Sequence, residues 1–473
     1  MSQRPLVCIV GAGASGIAAA KALADRGIPF ECFDKGDRVG GTWVLDNASG
    51  LSSAYPDLHI NVSRERLEYA DFPMPRTYPR FPHHTQIAQY FADYVEHFGL
   101  GDRIRLRTSV ELARPLPSGR WAVTLGSGET RHYDALVVAS GHHSSPRWPS
   151  PPFPGSFVGL EMHSHDYRGN APMRGRDVVV VGMGNSAMDI AVEASHVASA
   201  TYLSHRRSAH VLPKYVLGRP YDQMPGLPYL LGKPIGVRGR VSFVLPWALR
   251  KLALGASHRL VVGRMEDYGF APPDHDLLEA HPSVSSRLLD RVVHGRVVPK
   301  PNIERLDGDT VRFADGSSAH ADVLVYCTGY DIAFPFLPRE VIDVRDNHVT
   351  LYRAVFDPSR PTIAYIGLIQ PLGSVMQIAE RQAKWLALYL SGEYVLPDED
   401  EMRRTIADEQ RRLAEQYVPS ARHTIQVAQD EYFWRLDEEE RRGRRRAAKH
   451  GFRRSIPACT AESSRASLDR AAV

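Results

Sequence analysis

Two stretches of this chain repeat the same order of apolar, small and polar residues. Residues 6–10 and 177–181 are short runs dominated by Val, Ile and Leu, and each is followed by closely spaced glycines and an Ala-rich stretch. Short apolar runs of this kind are typical of strands that a parallel sheet buries on both faces. The pattern predicts two strand–turn–helix units, the first with a helix over about residues 17–26.

The first unit has the spacing of a dinucleotide-binding loop. Gly11, Gly13 and Gly16 form G-x-G-x-x-G directly after the predicted strand. The first glycine permits the tight turn, the second lets the backbone approach a pyrophosphate, and the third lets the helix pack on the strand. Asp34 ends the second predicted strand, residues 29–33, where a carboxylate accepts hydrogen bonds from a ribose hydroxyl. This acid suits the adenosine end of FAD, and the predicted contacts also include Ala14, Ser15 and Lys35.

The second unit differs at the position that contacts the ribose. Gly182, Gly184 and Ala187 give G-x-G-x-x-A, and Arg206 and Arg207 stand at the end of the next predicted strand, where the first unit has its acid. A 2′-phosphate needs positive charge at this place. The unit therefore predicts NADPH rather than NADH, although two arginines can also form a solvated surface pair. The residues predicted to bind this second cofactor also include Asn185 and Ser186.

The four cysteines do not form a redox-active pair. They are far apart in sequence, with no C-x-x-C motif and no Cys/His zinc spacing, so the sequence predicts no metal site. A flavin disulfide reductase needs such a pair and is excluded. An enzyme that holds both a flavin dinucleotide and NADPH passes hydride from nicotinamide to flavin. The remaining major use of the reduced flavin is activation of O2, and the low cysteine content favours a reducing, cytoplasmic location.

Composition and charge limit the partners. The chain of 473 residues has a formal charge of +4, but residues 441–473 carry ten Lys or Arg against two acids, so the rest is slightly acidic. We therefore expect no nucleic-acid partner for the body and a solvated, disordered tail over 436–473. The apolar stretch 241–263 is interrupted by charges and Pro, which predicts a partly buried helical insertion rather than an integral membrane segment, with an amphipathic membrane contact as the alternative. A homodimer is compatible with these features.

A segment between the two units resembles a known family. Phe157, Gly159, His163, Tyr167 and Arg168 form F-x-G-x-x-x-H-S-H-x-Y-R, which is similar to the motif of the flavin-containing monooxygenases at the same place. In the related Baeyer–Villiger family Trp usually stands at the Tyr167 position, so Tyr favours heteroatom oxygenation. The resemblance implies that His163 couples the domains and cofactors. Two alternate histidines without a third ligand do not make a zinc site, and His165 is expected to face solvent.

The resemblance covers about residues 5–400. Asp34 to Trp43 is similar to the family segment that holds the ribityl and ring region of the flavin, which implies contacts by Gly41, Thr42 and Trp43. Asn61 matches the family's active-site Asn beside the isoalloxazine and is the implied catalytic residue, flanked by Ile60 and Val62. Residues 137–149 and 324–330 look like the two crossovers between domains, which implies further cofactor contacts by Thr328 and Gly329.

These features together predict an α/β protein with two Rossmann-like dinucleotide-binding domains, the NADP domain inserted into the FAD domain. The FAD domain is expected over 1–165 and 322–435, and the NADP domain over 166–321, with an insertion at about 218–285. The resemblance implies an NADPH- and FAD-dependent monooxygenase that transfers one oxygen atom from O2 to a soft N or S of a small molecule, such as N,N-dimethylaniline, through a C4a-hydroperoxyflavin. Baeyer–Villiger or oxidative-decarboxylating chemistry, or a flavin-dependent redox sensor without turnover, are the alternatives.

Overall fold

In the computed structural model, helices separate some of the strands, and other strands follow one another without a helix between them. The structure describes residues 4–224, 235–237, 241–243, 246–418, 420 and 424–450. In chain order the strands are β1 (Val7–Val10), β2 (Phe30–Phe33), β3 (Ile104–Arg105), β4 (Val110–Pro115), β5 (Trp121–Leu125), β6 (Thr130–Tyr133), β7 (Ala135–Val138), β8 (Ser145–Pro146), β9 (Gly155–Phe157), β10 (Leu160–His163), β11 (Asp177–Val181), β12 (Ala200–Ser204), β13 (Val211–Leu212), β14 (Tyr215–Val216), β15 (Arg219–Pro220), β16 (Ile235–Val237), β17 (Val241–Phe243), β18 (Ser283–Val284), β19 (Val298–Lys300), β20 (Ile303–Gly308), β21 (Thr310–Phe313), β22 (Ser318–His320), β23 (Val323–Tyr326), β24 (Tyr330–Asp331), β25 (Phe356–Asp357), β26 (Arg360–Tyr365), β27 (Gln370–Leu372) and β28 (Gln426–Ala428).

The helices cover the faces of the sheets. They are α1 (Ala14–Asp25), α2 (Arg64–Leu67), α3 (His84–His97), α4 (Asn185–Ala194), α5 (Trp247–Val261), α6 (Leu288–Val293), α7 (Val375–Ser391), α8 (Glu399–Gln416) and α9 (Gln429–His450). The first helix begins three residues earlier than its predicted start at 17, because Gly13 is already its N-cap. Helix boundaries are the least certain part of a sequence pattern, since the last turn depends on capping.

Two parallel sheets carry the two predicted nucleotide-binding units. The first has the order β25-β26-β7-β1-β2-β3, and only β25 is antiparallel in it. The second has the order β10-β23-β11-β12-β19 and is parallel throughout. The strands β1, β7 and β23 are buried along their full length, as expected for sheets with helices on their faces. The predicted fold class, with one Rossmann-like domain inserted into the other, is confirmed.

The predicted domain boundaries at 165 and 322 need correction. β10 lies before the first boundary and β23 after the second, yet the two strands pair with each other, and β23 also pairs with β11. Both strands therefore complete the second sheet and not the first. The sequence located the glycine motifs correctly, but a short strand carries no local sign of the sheet it joins, since that depends on pairing over long sequence distances.

The two crossovers of the chain meet in a short antiparallel ribbon. β8 follows the first sheet's β7, β24 follows the second sheet's β23, and the two pair as Pro146 with Tyr330 and Ser145 with Asp331. Arg147 donates from Nε to the Asp331 carboxylate at 2.6 Å. The ribbon ties the carboxyl ends of the two sheets together, which is the edge where open α/β sheets bind their ligands.

Glycine is required where each nucleotide loop passes the neighbouring strand. Gly11 has φ +104°, and a Cβ there would lie 2.5 Å from the carbonyl oxygen of Ala139. Gly182 repeats this at φ +131°, with Cys327 in the place of Ala139 and the same distance of 2.5 Å. No other residue type fits either position, because both the backbone angle and the space exclude a side chain.

Helix α4 accepts two side-chain hydrogen bonds, one from the first domain and one from the segment that follows β10. Tyr55 donates from its hydroxyl to Asp189 at 2.6 Å, and Tyr167 donates to Glu193 at 2.6 Å. The two tyrosine rings meet edge to face, with centroids 5.9 Å apart. Tyr167, which follows β10 of the second sheet, is therefore buried between α4 and Tyr55, and burial raises the pKa of the Glu193 carboxyl to about 7.

Two further sequence predictions have different outcomes. The predicted insertion contains the helix α5, while its residues 225–234, 238–240 and 244–245 lie outside the described residues. The prediction of a disordered tail from 436 is wrong for 436–450, which belong to α9, and 451–473 lie outside the described residues. Within α9, Arg442 and Arg444 pair with the glutamates four residues before them, and such pairs stabilise a helix that looks like a charged tail in sequence.

Three cysteines of the described residues are free thiols. Cys8 and Cys32 are buried in the neighbouring strands β1 and β2, and Cys327 follows β23. Burial raises the pKa of each of these thiols. Among the described helices, none combines the length and the apolar character needed to cross a bilayer. No group of three or more described His, Cys, Asp or Glu side chains suits a metal ion.

Replacing Gly16 with alanine should weaken both folding and FAD binding. The added Cβ would overlap the carbonyl oxygen of Gly11, and such overpacking costs about 1–3 kcal/mol. The variant should show a lower melting temperature and less bound FAD per chain than the parent. Gly101→Ala is the control, because its Cβ meets nothing within 4 Å. Equal FAD content in the Gly16 variant and the parent would show that this contact does not shape the loop.

The Glu193 carboxyl should make stability depend on pH. Its folded pKa of about 7 lies above its ordinary value of 4.5, with burial as the main cause. The folded form therefore binds more protons in this window, and the stabilising contribution, complete below about pH 4.5, is lost as pH rises to about 7. Over this range the parent should lose about 1–3 kcal/mol relative to Glu193→Gln, measured by melting at each pH. The exposed Glu340→Gln is the control, and parallel curves for parent and Glu193→Gln would contradict the assignment.

Candidate functional site

The first nucleotide loop and the segment 40–43 form one cradle. Gly13 is the N-cap of α1 without a side-chain cap, and the first turn holds no acid. Gly41 begins a 3-10 turn that ends at Trp43, and a Cβ on Gly13 would lie 3.6 Å from the Gly41 Cα. Gly40 donates its N–H to the Ala12 carbonyl at 3.0 Å. Unused N–H groups and partial positive charge at the start of α1 suit a pyrophosphate.

Asp34 lies at the end of β2, where the sequence predicts a ribose contact. Its carboxylate accepts the N–H of Ala12 at 2.6 Å and that of Gly36 at 2.6 Å. These bonds fix the carboxylate beside the loop, and each oxygen keeps capacity for another donor. Lys35, predicted with it, is exposed.

The remaining predicted contacts of the first site lie around the start of α1. Ala14 and Ser15 begin α1, and Gly367 approaches so closely that a Cβ on it would overlap the Ser15 side chain. Trp43 packs at the edge of the main core, and its carbonyl accepts from His84 at 3.3 Å. Thr42 is exposed and its hydroxyl shares a hydrogen bond of 2.9 Å with Ser53.

Asn61 is placed on a loop that several long-range contacts hold. Its Oδ1 is buried and has no hydrogen-bond partner among the described residues. Ile60 before it is buried and donates its N–H to the Pro82 carbonyl at 3.0 Å, while Val62 after it packs at the edge of the main core. An unpaired amide oxygen in a buried place costs free energy unless a ligand supplies a donor. The loop therefore holds an acceptor that the described residues do not satisfy.

Side chains from the start of the predicted insertion, and Lys214 just before it, hold this loop. Asp222 accepts the N–H of Ser63 at 2.7 Å, and Gln223 donates to the Ser63 hydroxyl at 2.8 Å. Lys214 donates from Nζ to the Ile60 carbonyl at 3.1 Å. These residues were missed from sequence, because no local spacing indicates that residues about 150 positions apart meet. The only signal in the sequence was the predicted insertion at about 218–285, which contains Asp222 and Gln223.

The second nucleotide loop has the same construction as the first. Gly184 is the N-cap of α4 without a side-chain cap, and Asn185 and Ser186 are the first residues of the helix. Asn185 accepts the N–H of Val284 at its Oδ1, at 2.8 Å, so β18 fixes the side chain beside the loop. The remaining N–H groups at this helix start suit the second pyrophosphate.

The two predicted arginines are not equivalent. Arg206 is exposed and forms no ion pair among the described residues, so it is free to meet a phosphate. Arg207 pairs with Asp274 at 2.7 Å from its Nε, and Asp274 also faces His275 at 2.9 Å. The sequence did not indicate this carboxylate, which comes from a loop 67 residues away. A 2′-phosphate at this place would take its first contact from Arg206.

The histidines of the F-x-G-x-x-x-H motif are buried near the ribbon of the crossovers. His163 is fully buried, its Nδ1 accepts the N–H of His165 at 3.0 Å, and its Nε2 has no partner among the described residues. Burial lowers the pKa of His163 to about 4. The prediction that His165 faces solvent is wrong, since its ring is buried and lies 3.3 Å from the Gly50 carbonyl. Alternation along an irregular segment does not specify a face, because the chain turns after β10.

The predicted contacts at the second crossover lie in the ribbon itself. Thr328 donates its hydroxyl to the Arg147 carbonyl, and Gly329, at φ +89°, accepts the N–H of Arg147 at 2.9 Å. The ring of Tyr330 contacts His163 with centroids 5.4 Å apart. These residues join the two crossovers through their own contacts, and this structural role does not need a bound cofactor.

The residues present fit two dinucleotides. Each sheet offers an uncapped helix start behind a glycine loop, one with an acid at the next strand end and one with an exposed arginine. FAD suits the first and NADPH the second. The ribbon between β8 and β24 ties the two sites to one junction, and the loop of Asn61 contacts Lys214 and Asp222.

The chain is similar to known flavin-dependent enzymes over most of its length. Residues 4–441 match the family model described as flavin-binding monooxygenase-like. The chain is 36% identical to flavin-containing monooxygenase 5 of Oryctolagus cuniculus over 435 residues, which cover 89% of this chain and 80% of that protein. It is 33% identical to dimethylaniline monooxygenase (N-oxide-forming) 2 of Rattus norvegicus over 450 residues, which cover 91% and 81%.

Solved structures share the fold. S-allyl-L-cysteine S-oxygenase from Allium sativum is 23% identical, with a TM-score of 0.68 and coverage of 99% of this chain and 98% of that one. The OTEMO complex with FAD and NADP is 18% identical, with a TM-score of 0.70 and coverage of 94% and 99%. With a family match over nearly its whole length and two intact nucleotide loops, the chain belongs to the flavin-binding monooxygenase-like family and is an FAD- and NADPH-dependent monooxygenase.

Proposed function

We propose that this monooxygenase transfers one oxygen atom from O2 to a soft nitrogen or sulfur of a small organic substrate. The observation that supports this most is the buried amide oxygen of Asn61, unpartnered among the described residues, on a loop that Lys214 and Asp222 hold. It stands where the family resemblance places the reacting end of the flavin. The relatives named for N-oxide formation point to the same chemistry.

The residues of this chain would bind, orient and protect rather than shuttle protons. The helix starts behind Gly13 and Gly184 would hold the pyrophosphates, Asp34 the ribose of FAD, and Arg206 the phosphate of NADPH. When bound in this cradle, FAD would supply the redox chemistry that activates O2. Asn61 would orient a donor or acceptor group at the ring, and its clamped loop would keep water out.

Ketone oxygenation on the same architecture is the alternative reaction. Cyclohexanone monooxygenase shares the fold, with 17% identity and a TM-score of 0.69. Tyr167, whose type suggested heteroatom oxygenation, is buried and donates its hydroxyl to Glu193, so its recorded contact is a structural one. The choice between heteroatom oxygenation and ketone oxygenation therefore rests on the loop of Asn61 and on the identity of the product. Incubation with an amine, a sulfide and a ketone, with NADPH loss and product followed together, decides between the reactions.

Replacing Asn61 with alanine should uncouple O2 use from product formation. If its amide bonds the oxygen carrier or NADP⁺, its loss should cost about 1–3 kcal/mol, or roughly 5- to 150-fold in the lifetime of the reactive state. The variant should keep its FAD and its reduction by NADPH, yet release more hydrogen peroxide per NADPH. Asn170→Ala is the control for removing an amide elsewhere. An Asn61 variant as well coupled as the parent would remove this residue from the reaction.

Replacing Arg206 with alanine should erase much of the preference for NADPH over NADH. A charge-assisted contact to the 2′-phosphate contributes about 1.5–3 kcal/mol, so the preference should fall about 10- to 100-fold. Arg296→Ala is the control. This exposed arginine precedes β19 and so lies at the amino end of the parallel strands, whereas Arg206 follows β12 at their carboxyl end. The measurement is flavin reduction by each coenzyme in stopped flow. Equal efficiencies of NADH and NADPH in the parent would refute the assignment of the 2′-phosphate site.

A further inference from the structure

Lys214 is a partly buried cation without a carboxylate partner in an ion pair among the described residues. Its Nζ donates one hydrogen bond, to the carbonyl of Ile60 at 3.1 Å, and an ammonium has three donors. The nearby Asp189 carboxylate already accepts the hydroxyl of Tyr55. Two N–H groups of Lys214 are therefore left for a ligand beside the loop of Asn61.

This lysine is costly as a purely structural residue. Burial lowers its pKa, which means that the environment disfavours the charged form. One hydrogen bond to a backbone carbonyl needs no charge, since a neutral amide would donate it as well. Asp189 and Asp57 attract the Lys214 charge, but neither forms an ion pair with it among the described residues. A desolvated charge without such a direct partner is more common where a ligand supplies the opposite charge.

Aromatic side chains line the approach to Lys214. The Nζ lies 5.2 Å from the centroid of the Phe81 ring, and Tyr215 packs edge to face on that ring at 5.7 Å. Tyr215 is exposed, and Phe81 is partly buried. A cation with spare donors beside an apolar, aromatic wall suits a small molecule that has an anionic end and an apolar body.

We propose that Lys214 binds the carboxylate of the substrate and so selects soft nucleophiles that carry an acid group, such as thioether acids. The inference rests on the proposed function, because it places the substrate beside Asn61. The ammonium would meet the carboxylate, and the chain next to it would lie along Phe81 with its sulfur towards the loop. The phosphates of NADPH have their own places at the start of α4 and at Arg206, so they do not account for Lys214.

The test compares a thioether acid with its uncharged ester. Parent holoenzyme, Lys214→Met and Lys214→Arg are assayed with (methylthio)acetate and its methyl ester, and kcat/KM is measured for each. Loss of one charge-assisted contact should lower the acid-to-ester ratio about 10- to 100-fold in Lys214→Met. Lys214→Arg should restore most of the ratio. Lys251→Met is the control, because Lys251 pairs with Asp276 and Glu279 away from the loop, and its ratio should equal that of the parent.

Equilibrium binding gives a readout that does not depend on turnover. Binding of (methylthio)acetate to the oxidised holoenzyme is followed by calorimetry, and Lys214→Met should weaken it by the same factor. If the parent oxygenates neither thioether, the proposed function fails, while binding still decides the role of Lys214. If Lys214→Met lowers kcat/KM equally for the acid and the ester, Lys214 only positions the loop. If the variant weakens only the affinity for NADPH, Lys214 serves the coenzyme. Either result, or no binding of the acid by the parent, overturns the proposal.

Discussion

The fixed junction between the two sheets is the constraint on which the site depends. Both β7 and β23 leave their sheets at the carboxyl edge, and both continue into the single ribbon of β8 and β24. A hydride donor and its acceptor must meet at near contact distance, so two separate nucleotide-binding sheets are useful only if their ligand edges are tied together. Arg147 and Asp331, with the buried ring of His163 beside them, hold that tie.

The second support is the contact between α4 and the first domain. Tyr55 comes from the first domain, and Tyr167 comes from the segment that follows β10. Their hydroxyls bind the carboxylates of Asp189 and Glu193, which lie on one face of α4. Helix α4, whose start is the proposed place of the NADPH pyrophosphate, is thus tied through Asp189 to Tyr55 of the first domain. The position of the coenzyme loop is therefore coupled to a buried carboxyl group, Glu193, that is close to its protonation midpoint at neutral pH.

Local spacing accounts for what could be predicted from the sequence. The loops of Gly11 and Gly182, the acid Asp34 and the exposed Arg206 were predicted because each lies within one strand–turn–helix unit, where backbone sterics and helix geometry fix the outcome. Asn61 came from family resemblance alone, and its role remains a proposal.

Features that depend on long-range pairing could not be predicted. The membership of β10 and β23 in the second sheet, the Asp274 partner of Arg207 and the contact of Lys214 with Ile60 all join segments far apart in the chain. The helix at 436–450 was missed for a different reason. Its charges looked like a solvated run, but their four-residue spacing pairs Arg442 with Glu438 and extends the helix.

The buried thiols affect how the enzyme withstands its own chemistry. Oxygen activation that fails to reach a substrate releases hydrogen peroxide, and peroxide attacks cysteine in the thiolate form. Cys8, Cys32 and Cys327 lie close to the two glycine loops, but burial raises their pKa values and keeps them protonated. These three cysteines are therefore poor targets for the peroxide that turnover without substrate releases.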